Sequence, residues 1–495
     1  MAGGVGFFKK TSPIVPYEGE RDTKDGICKM EQNGAGVRMF TNQDLKRLIL
    51  PLIVEQILAV SVGMVDTMMV SNAGEAATSG VSLVDMVNTL FINIFAAVAT
   101  GGAVVSSQYL GQRRRDRACQ SANQLILITA CISLIIMVLC ILFRRGVLHL
   151  LYGGVAGDVM ANALVYLTIS ALSYPFLAVY NSCAALFRSM GNSKISMQAS
   201  IIMNIINVIG DSLFIFVFHW GVAGAAAASL ISRMTACFIL LFRLKNKNLD
   251  IFIGRKWNLN FRMVKQILGI GIPNGIENSI FQLGRVLVVG IIAMFGTTQI
   301  AANAIANNLD GMGVLPGQAM NLAMITVVGR CVGAGDFDQA GYYAKKMMKI
   351  TYLVNGLCCI AVILTMPLSL SLYGLSKEAL ELGAVLVLIH DGCAVFLWPS
   401  SFCLANVLRA ASDVKFPMCV SILSMLLFRI GFSYVLAVGL GMGAVGVWWA
   451  MIADWSVRSA FFGWRFVSGK WKTGENNYTG IEVYVTIRHI RTDGR

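Results

Sequence analysis

Apolar stretches of roughly 20 residues recur from one end of the chain to the other, separated by short polar stretches. About 20 consecutive apolar residues cross a bilayer as a helix, so the pattern predicts twelve spanning segments. They cover about 48–71, 79–104, 124–143, 166–189, 195–218, 222–244, 267–295, 300–328, 350–372, 382–408, 416–438 and 443–466. No connection is long enough for a soluble domain. The connections alternate between two faces, and the charges follow the alternation. One face collects Lys46, Arg47, "GQRRRDR" at 111–117, Arg188, Lys194, "RLKNKN" at 243–248, Arg255, Lys256, Arg262 and Lys265. It continues with Arg330, Lys345, Lys346, Lys349, Arg409, Lys415, Arg465, Lys470 and Lys472. The other has Arg144, Arg145 and Lys377. Lys and Arg mark cytoplasmic loops, so the pattern places both termini in the cytoplasm and the protein in the plasma membrane.

Composition agrees. Of 495 residues, 56% are hydrophobic and only 13% charged, with a mean hydropathy of +0.68. Soluble domains carry about 25% charged residues. The expected class is an all-α polytopic membrane protein whose surroundings are the lipid bilayer. A net charge of +14 would suit a nucleic-acid partner, but its positions are those of topology, and none is expected. The twelve cysteines show no C-x-x-C spacing and are scattered through apolar segments, where cysteine acts as a small hydrophobe. His149, His219, His390 and His489 suggest no ligand cluster, so neither disulfides nor a cofactor is expected. Residues 1–40 lack the apolar core of a signal peptide. The tail "IEVYVTIRHI" alternates like a short strand, and the Asn477-Tyr478-Thr479 sequon falls on the cytoplasmic face.

The chain repeats itself. "PLIVE" at 51–55 returns as "PNGIE" at 273–277, and "VVSSQYLG" ending at Gly111 returns as "VVGRCVG" ending at Gly333, both 222 residues on. Arg188 and Lys194 return as Arg409 and Lys415, 221 residues on, and "GVAG" at 221–224 as "GAVG" at 443–446, again 222 on. Matches at an offset of 221–222 across six segments imply two homologous six-helix lobes inserted the same way round. The expected division is a polar extension at 1–43, lobes at 44–250 and 251–468, and a polar tail at 469–495. Parallel repeats of this kind build secondary transporters, with a cavity between the lobes near the midplane.

Within this apolar frame the acids stand out. A carboxylate at the centre of a spanning helix costs roughly 2.5–3.5 kcal/mol, so each is either paired or functional. Asp66 lies about 25 Å along the first segment and Asp211 about 24 Å along the fifth, at 1.5 Å per residue. Both segments run outward, which sets the two carboxylates at one depth. Asn204, Asn207 and Asp211 share a helical stripe, and Ser229 on the sixth segment falls near the same level. Such oxygens suit a small cation or a proton-sharing pair. The first half has one intramembrane arginine, Arg233, against Glu55, Asp66, Asp85 and Asp211. The second half mixes Glu277, Asp310 and Asp391 with Arg285 and Arg429, and Asp454 and Arg458 sit at i, i+4.

Four stretches resemble the MATE (multidrug and toxic compound extrusion) family: "VDTMMVSNAG", "ATGGAVVSSQYLGQ", "LFRSMGN" and "NVIGDSLFIF…GVAGAAAAS". The likeness covers about 41–468. It implies a cation or proton site in the first lobe at Asp66, Asn207, Asp211 and Ser229, with Na⁺ held at Asp66, Asn207 and Asp211 if sodium is the coupling ion. Many members also use a glutamate on the seventh helix. Glu277 is the nearest candidate, about one turn early, and with Asp310 and Asp391 it forms a possible second-lobe site. The implied activity is export of small organic, cationic, drug-like compounds in exchange for Na⁺ or H⁺, by a monomer with no catalytic residues. The alternatives are a flippase for a lipid-linked saccharide and an intramembrane prenyltransferase. The first would favour fourteen spans, and the second needs denser acidic motifs than Asn207-x-x-x-Asp211.

Overall fold

The computed structural model describes residues 38–72, 74–153, 156–254, 258–371, 373 and 375–473. Arg255, Lys256, the sequon, the strand-like tail and His489 lie outside them. Everything described is helical or a short connection.

The first half comprises α1 (Asn42–Ser71), α2 (Glu75–Gly111), α3 (Arg115–Tyr152), α4 (Gly157–Ser189), α5 (Ser193–Asp211) and α6 (Gly221–Leu244). The second comprises α7 (Phe261–Ala293), α8 (Thr297–Gly313), α9 (Leu315–Gly333), α10 (Phe337–Ser371), α11 (Lys377–Trp398), α12 (Leu404–Ala410), α13 (Lys415–Ser424) and α14 (Gly443–Val467). Among the described residues, ten spans are long and apolar enough to cross a membrane on their own, and α8 with α9, bent by 49°, makes an eleventh. The 25-residue α14 has the length for a twelfth. Its apolar character is diluted by Asp454 and Arg458, which neutralise each other at 2.9 Å. Several helices run well past the predicted apolar segments. The 38-residue α3 outreaches a bilayer core of about 30 Å.

Among the described residues four stretches are π-helical: Ser212–Val217 after α5, Pro399–Cys403 between α11 and α12, and Met425–Phe432 and Tyr434–Gly439 after α13. The extra residue per turn re-aims the side chains that follow. The start of α1 is fixed by a capping box, in which Asp44 N–H donates to Thr41 Oγ1 at 3.1 Å and Thr41 N–H donates to Asp44 Oδ2 at 2.9 Å.

The two halves share their cores at one end. Leu45, Leu48, Ile49 and Leu52 of α1 belong to the apolar cluster built by α9, α10 and α12. Conversely, Met263, Ile267 and Ile270 of α7 belong to the cluster built by α2, α3 and α4. Glycines let the halves touch there. A Cβ on Gly111 would lie 2.0 Å from the Arg330 carbonyl oxygen, and one on Gly333 would lie 2.1 Å from that of Gln108. Two repeat-related hydrogen bonds join the same crossing. Gln108 Nε2 donates to Ala410 O at 2.9 Å, and Arg330 Nε donates to Ser189 O at 2.9 Å. The lobes are therefore closed at the end that carries the Lys and Arg excess.

Candidate functional site

In the first lobe, α1, α2, α4, α5 and α6 bring the candidate residues together. The small-residue run of α6 lets α5 approach until a Cβ on Gly210 would sit 2.8 Å from Ala228 Cβ. That contact sets Ser229 beside the Asn207–Asp211 stripe, where Asn207 Nδ2 donates to Ser229 Oγ at 3.4 Å. The carboxyl groups of Asp66 and Asp211 face each other. Asp211 is fully buried, and among the described residues neither of its oxygens has a hydrogen-bond partner; nor does Asp66 Oδ1. Arg233 makes no ion pair with either aspartate among the described residues; its Nη1 donates to Ser173 Oγ at 2.7 Å.

Asp85 extends the acidic surface. Its Oδ1 accepts from Asn88 Nδ2 at 3.2 Å, while Tyr174 OH donates to Asn88 Oδ1 at 2.7 Å. The Tyr166 hydroxyl faces the same carboxyl. Sequence reading noted Asp85 but assigned it no role, and neither tyrosine was singled out. Their signal, two tyrosines eight residues apart on α4, does not differ from ordinary packing. The chemistry on offer is a set of hard oxygens, with buried carboxylates whose unmade bonds cost about 1–3 kcal/mol or more each. A proton or a small cation answers that requirement.

The remaining first-half acid, Glu55, is accounted for by an arginine that sequence reading had assigned to a loop. Arg188 Nη1 lies 3.4 Å from Glu55 Oε1, and Ser196 Oγ donates to Glu55 Oε2 at 3.0 Å. The second half repeats the pair. Glu277 Oε2 accepts from Arg409 Nη2 at 2.6 Å. The repeat thus makes Glu277 the counterpart of Glu55, an acid already matched by a guanidinium.

Asp310 and Asp391 lie elsewhere, around His390. Its Nδ1 is 2.8 Å from Asp391 Oδ1 and 3.4 Å from Asp310 Oδ1, and the three offer ligand atoms within 4.8 Å of one another. This corrects the expectation that no histidine joins a ligand cluster. The sequence showed His390 beside Asp391, but only the packing of α8 on α11 adds Asp310. Among the described residues both Asp310 oxygens and Asp391 Oδ2 lack a hydrogen-bond partner, so the group has the donor set for a proton or a cation. Glu277 is not part of it. His390 is wedged edge-on between Trp448 and Trp455, with ring centroids at 5.8 and 5.0 Å.

The family model for MatE matches residues 51–213 and 273–435, once per half. The chain belongs to the MATE family of transporters. It is 28% identical over 430 residues to the transporter YisQ of Bacillus subtilis, covering 85% of this chain and 93% of that one. It is 24% identical over 441 residues to the probable multidrug resistance protein NorM of Thermotoga maritima, covering 87% and 93%. Among solved structures it resembles an outward-facing multidrug resistance MATE family transporter, with a TM-score of 0.79 at 19% identity over 86% of this chain and 96% of that one. A MOP superfamily transporter from Pyrococcus furiosus gives 0.80 at 19% identity over the same shares. This MATE protein is a multi-pass membrane transporter of small molecules, not an enzyme.

Proposed function

We propose that this MATE transporter is an antiporter that exports organic, drug-like compounds in exchange for Na⁺ or H⁺ entering at Asp66 and Asp211. The supporting observation is that the half-buried Asp66 and the buried Asp211 face each other with three oxygens lacking a hydrogen-bond partner among the described residues, while Arg233 is bonded to Ser173. Asn207 and Ser229 complete the oxygen set, and Asp310, His390 and Asp391 form the second-lobe candidate. A coupling ion drives a conformational change only if the two states bind it with different affinity. An acid pair enclosed by α1, α5 and α6 meets that condition if the other state spreads those helices apart. With the Lys/Arg-rich end cytoplasmic, both termini in the cytoplasm and the plasma membrane around a monomer, the closed end makes this an outward-facing state.

The test is ethidium efflux from loaded proteoliposomes, driven separately by imposed Na⁺ and H⁺ gradients. The wild-type protein should respond to one gradient. The double substitution Asp66→Asn with Asp211→Asn should abolish gradient-driven efflux and leave passive leak unaltered. Undiminished driven efflux in the double variant would refute the reading.

A further inference from the structure

The two matched stretches are offset by 222 residues, and that offset carries the first-lobe candidates onto different chemistry. Asp66 becomes Val288, Asp211 becomes Ser433, and Asn207 becomes Arg429. Two acids and an amide are answered by a guanidinium, so the sign of the site is inverted across the repeat. The backbone keeps the register, because the π-helical stretches Ser212–Val217 and Tyr434–Gly439 are themselves 222 apart.

The Arg429 side chain is only 11% exposed, and among the described residues its Nε and Nη1 have no hydrogen-bond acceptor. The one acid within ion-pair range of it among the described residues, Asp454, has Oδ2 at 3.9 Å from Nη1. That carboxylate is already committed through Oδ1 to Arg458 Nε at 2.9 Å and Ser424 Oγ at 2.5 Å. One acid thus serves two arginines. Both guanidinium carbons lie over the Phe281 ring, at 5.6 Å for Arg429 and 5.2 Å for Arg458. Arg285 is one turn beyond Phe281 on the same face of α7. Gly284 packs against the Met425 side chain, whose Cε would lie 2.3 Å from a Cβ there, and the charge of Arg285 is near enough to act on that of Arg429. Arg285 is exposed and has no carboxylate partner among the described residues. Phe402 stands edge-on to Phe281 at 6.1 Å and to Trp455 at 5.9 Å, and the buried Trp455 Nε1 also lacks an acceptor. Asp310 and Asp391 are gathered at His390 and make no ion pair with these guanidiniums.

Cation–π contact alone leaves the hydrogen-bond donors of a buried guanidinium unmet, which is costly in a membrane interior. An anionic oxygen supplies both the acceptors and the balancing charge. We infer that Arg285, Arg429 and Trp455, floored by Phe281 and Phe402, form a subsite for the carboxylate of an aromatic substrate. The lobes then hold opposite ends of a zwitterion, its amine toward the acids of the first and its carboxylate toward the arginines of the second. This deepens the exporter reading and rests on it for transport, though not for binding.

The test is binding of norfloxacin and of its methyl ester to the full-length protein in nanodiscs, by fluorescence anisotropy. The wild type should prefer the free carboxylate by about tenfold or more, as expected when one charge-assisted bond is gained. Arg429→Gln should erase most of that preference, and Arg285→Gln or Trp455→Phe part of it. Equal binding of acid and ester by the wild type would overturn the inference, as would a preference retained in Arg429→Gln protein with an intact thermal transition. Should Arg429→Gln fail to fold, an unaltered preference in both other variants overturns it equally. Geranyl phosphate competing better than benzoate would also overturn it, in favour of a lipid phosphate. Loss of wild-type ethidium efflux with the acid preference intact would sink the exporter reading and leave the subsite standing.

Discussion

The crossing of α2 and α9 should tolerate no added atom. In Gly111→Ala the new methyl would start 2.0 Å from the Arg330 carbonyl oxygen, whereas ordinary contact begins at 3.4 Å. The obstacle is backbone, so no rotamer change relieves it, and the helices must part by up to 1.4 Å. Overpacking of this kind costs about 1–3 kcal/mol. The penalty falls on the state whose lobes are closed at this end, because opening removes the contact. A bias of that size moves a two-state equilibrium about 5- to 150-fold. Hydrogen exchange reads it directly in the connections that the crossing holds shut, 188–193 and 410–414. These carry the carbonyls bonded by Arg330 and Gln108. Their amides should exchange faster by that factor in Gly111→Ala, and by a similar factor in Gly333→Ala, with the interior of α3 unchanged. Exchange at wild-type rates in a folded Gly111→Ala protein would refute the claim that this glycine contact holds the lobes together.

Three further outcomes follow from particular contacts. Asp211→Asn removes a buried carboxylate with two unpartnered oxygens and should raise thermal stability by about 1–3 kcal/mol while abolishing driven efflux; a destabilised variant would mean the acid has a fixed partner. Glu277→Gln leaves Arg409 uncompensated and should cost about 3–5 kcal/mol, whereas Glu277→Leu with Arg409→Met should come close to wild type in chemical denaturation. Tyr343→Phe deletes the hydroxyl that receives the Phe40 N–H at 2.9 Å and donates to its carbonyl at 2.7 Å. It should free the segment before α1, seen as faster limited proteolysis at Arg38, with about 1–3 kcal/mol of local opening energy lost.

Much of this architecture is local and therefore legible along the chain. Hydropathy reports each span, because each must satisfy its own backbone in lipid whatever its neighbours do. The helical rise puts Asp66 and Asp211 at one depth, and a stripe of period 3.6 aligns Asn204, Asn207 and Asp211. The 222-residue repeat is a statement about sequence alone. What escaped was partnership. Arg188 read as a loop marker, yet the end of α4 bends it back onto Glu55. His390 read as solitary until α8 delivered Asp310 to it.

The sequence by itself determined the spans, the two repeated halves and the few places where charge is buried in oil. Tertiary structure alone decided which charges meet, that α1 and α7 each lend their first turns to the other half's core, and that the lobes close at the basic end. The physical reason is one of range. Spanning is settled residue by residue against lipid, but closure depends on carbonyls and glycines more than 200 residues apart, Gly111 against Arg330 and Gly333 against Gln108. A guanidinium such as Arg429 is likewise balanced or left wanting only by what the neighbouring helices bring to it.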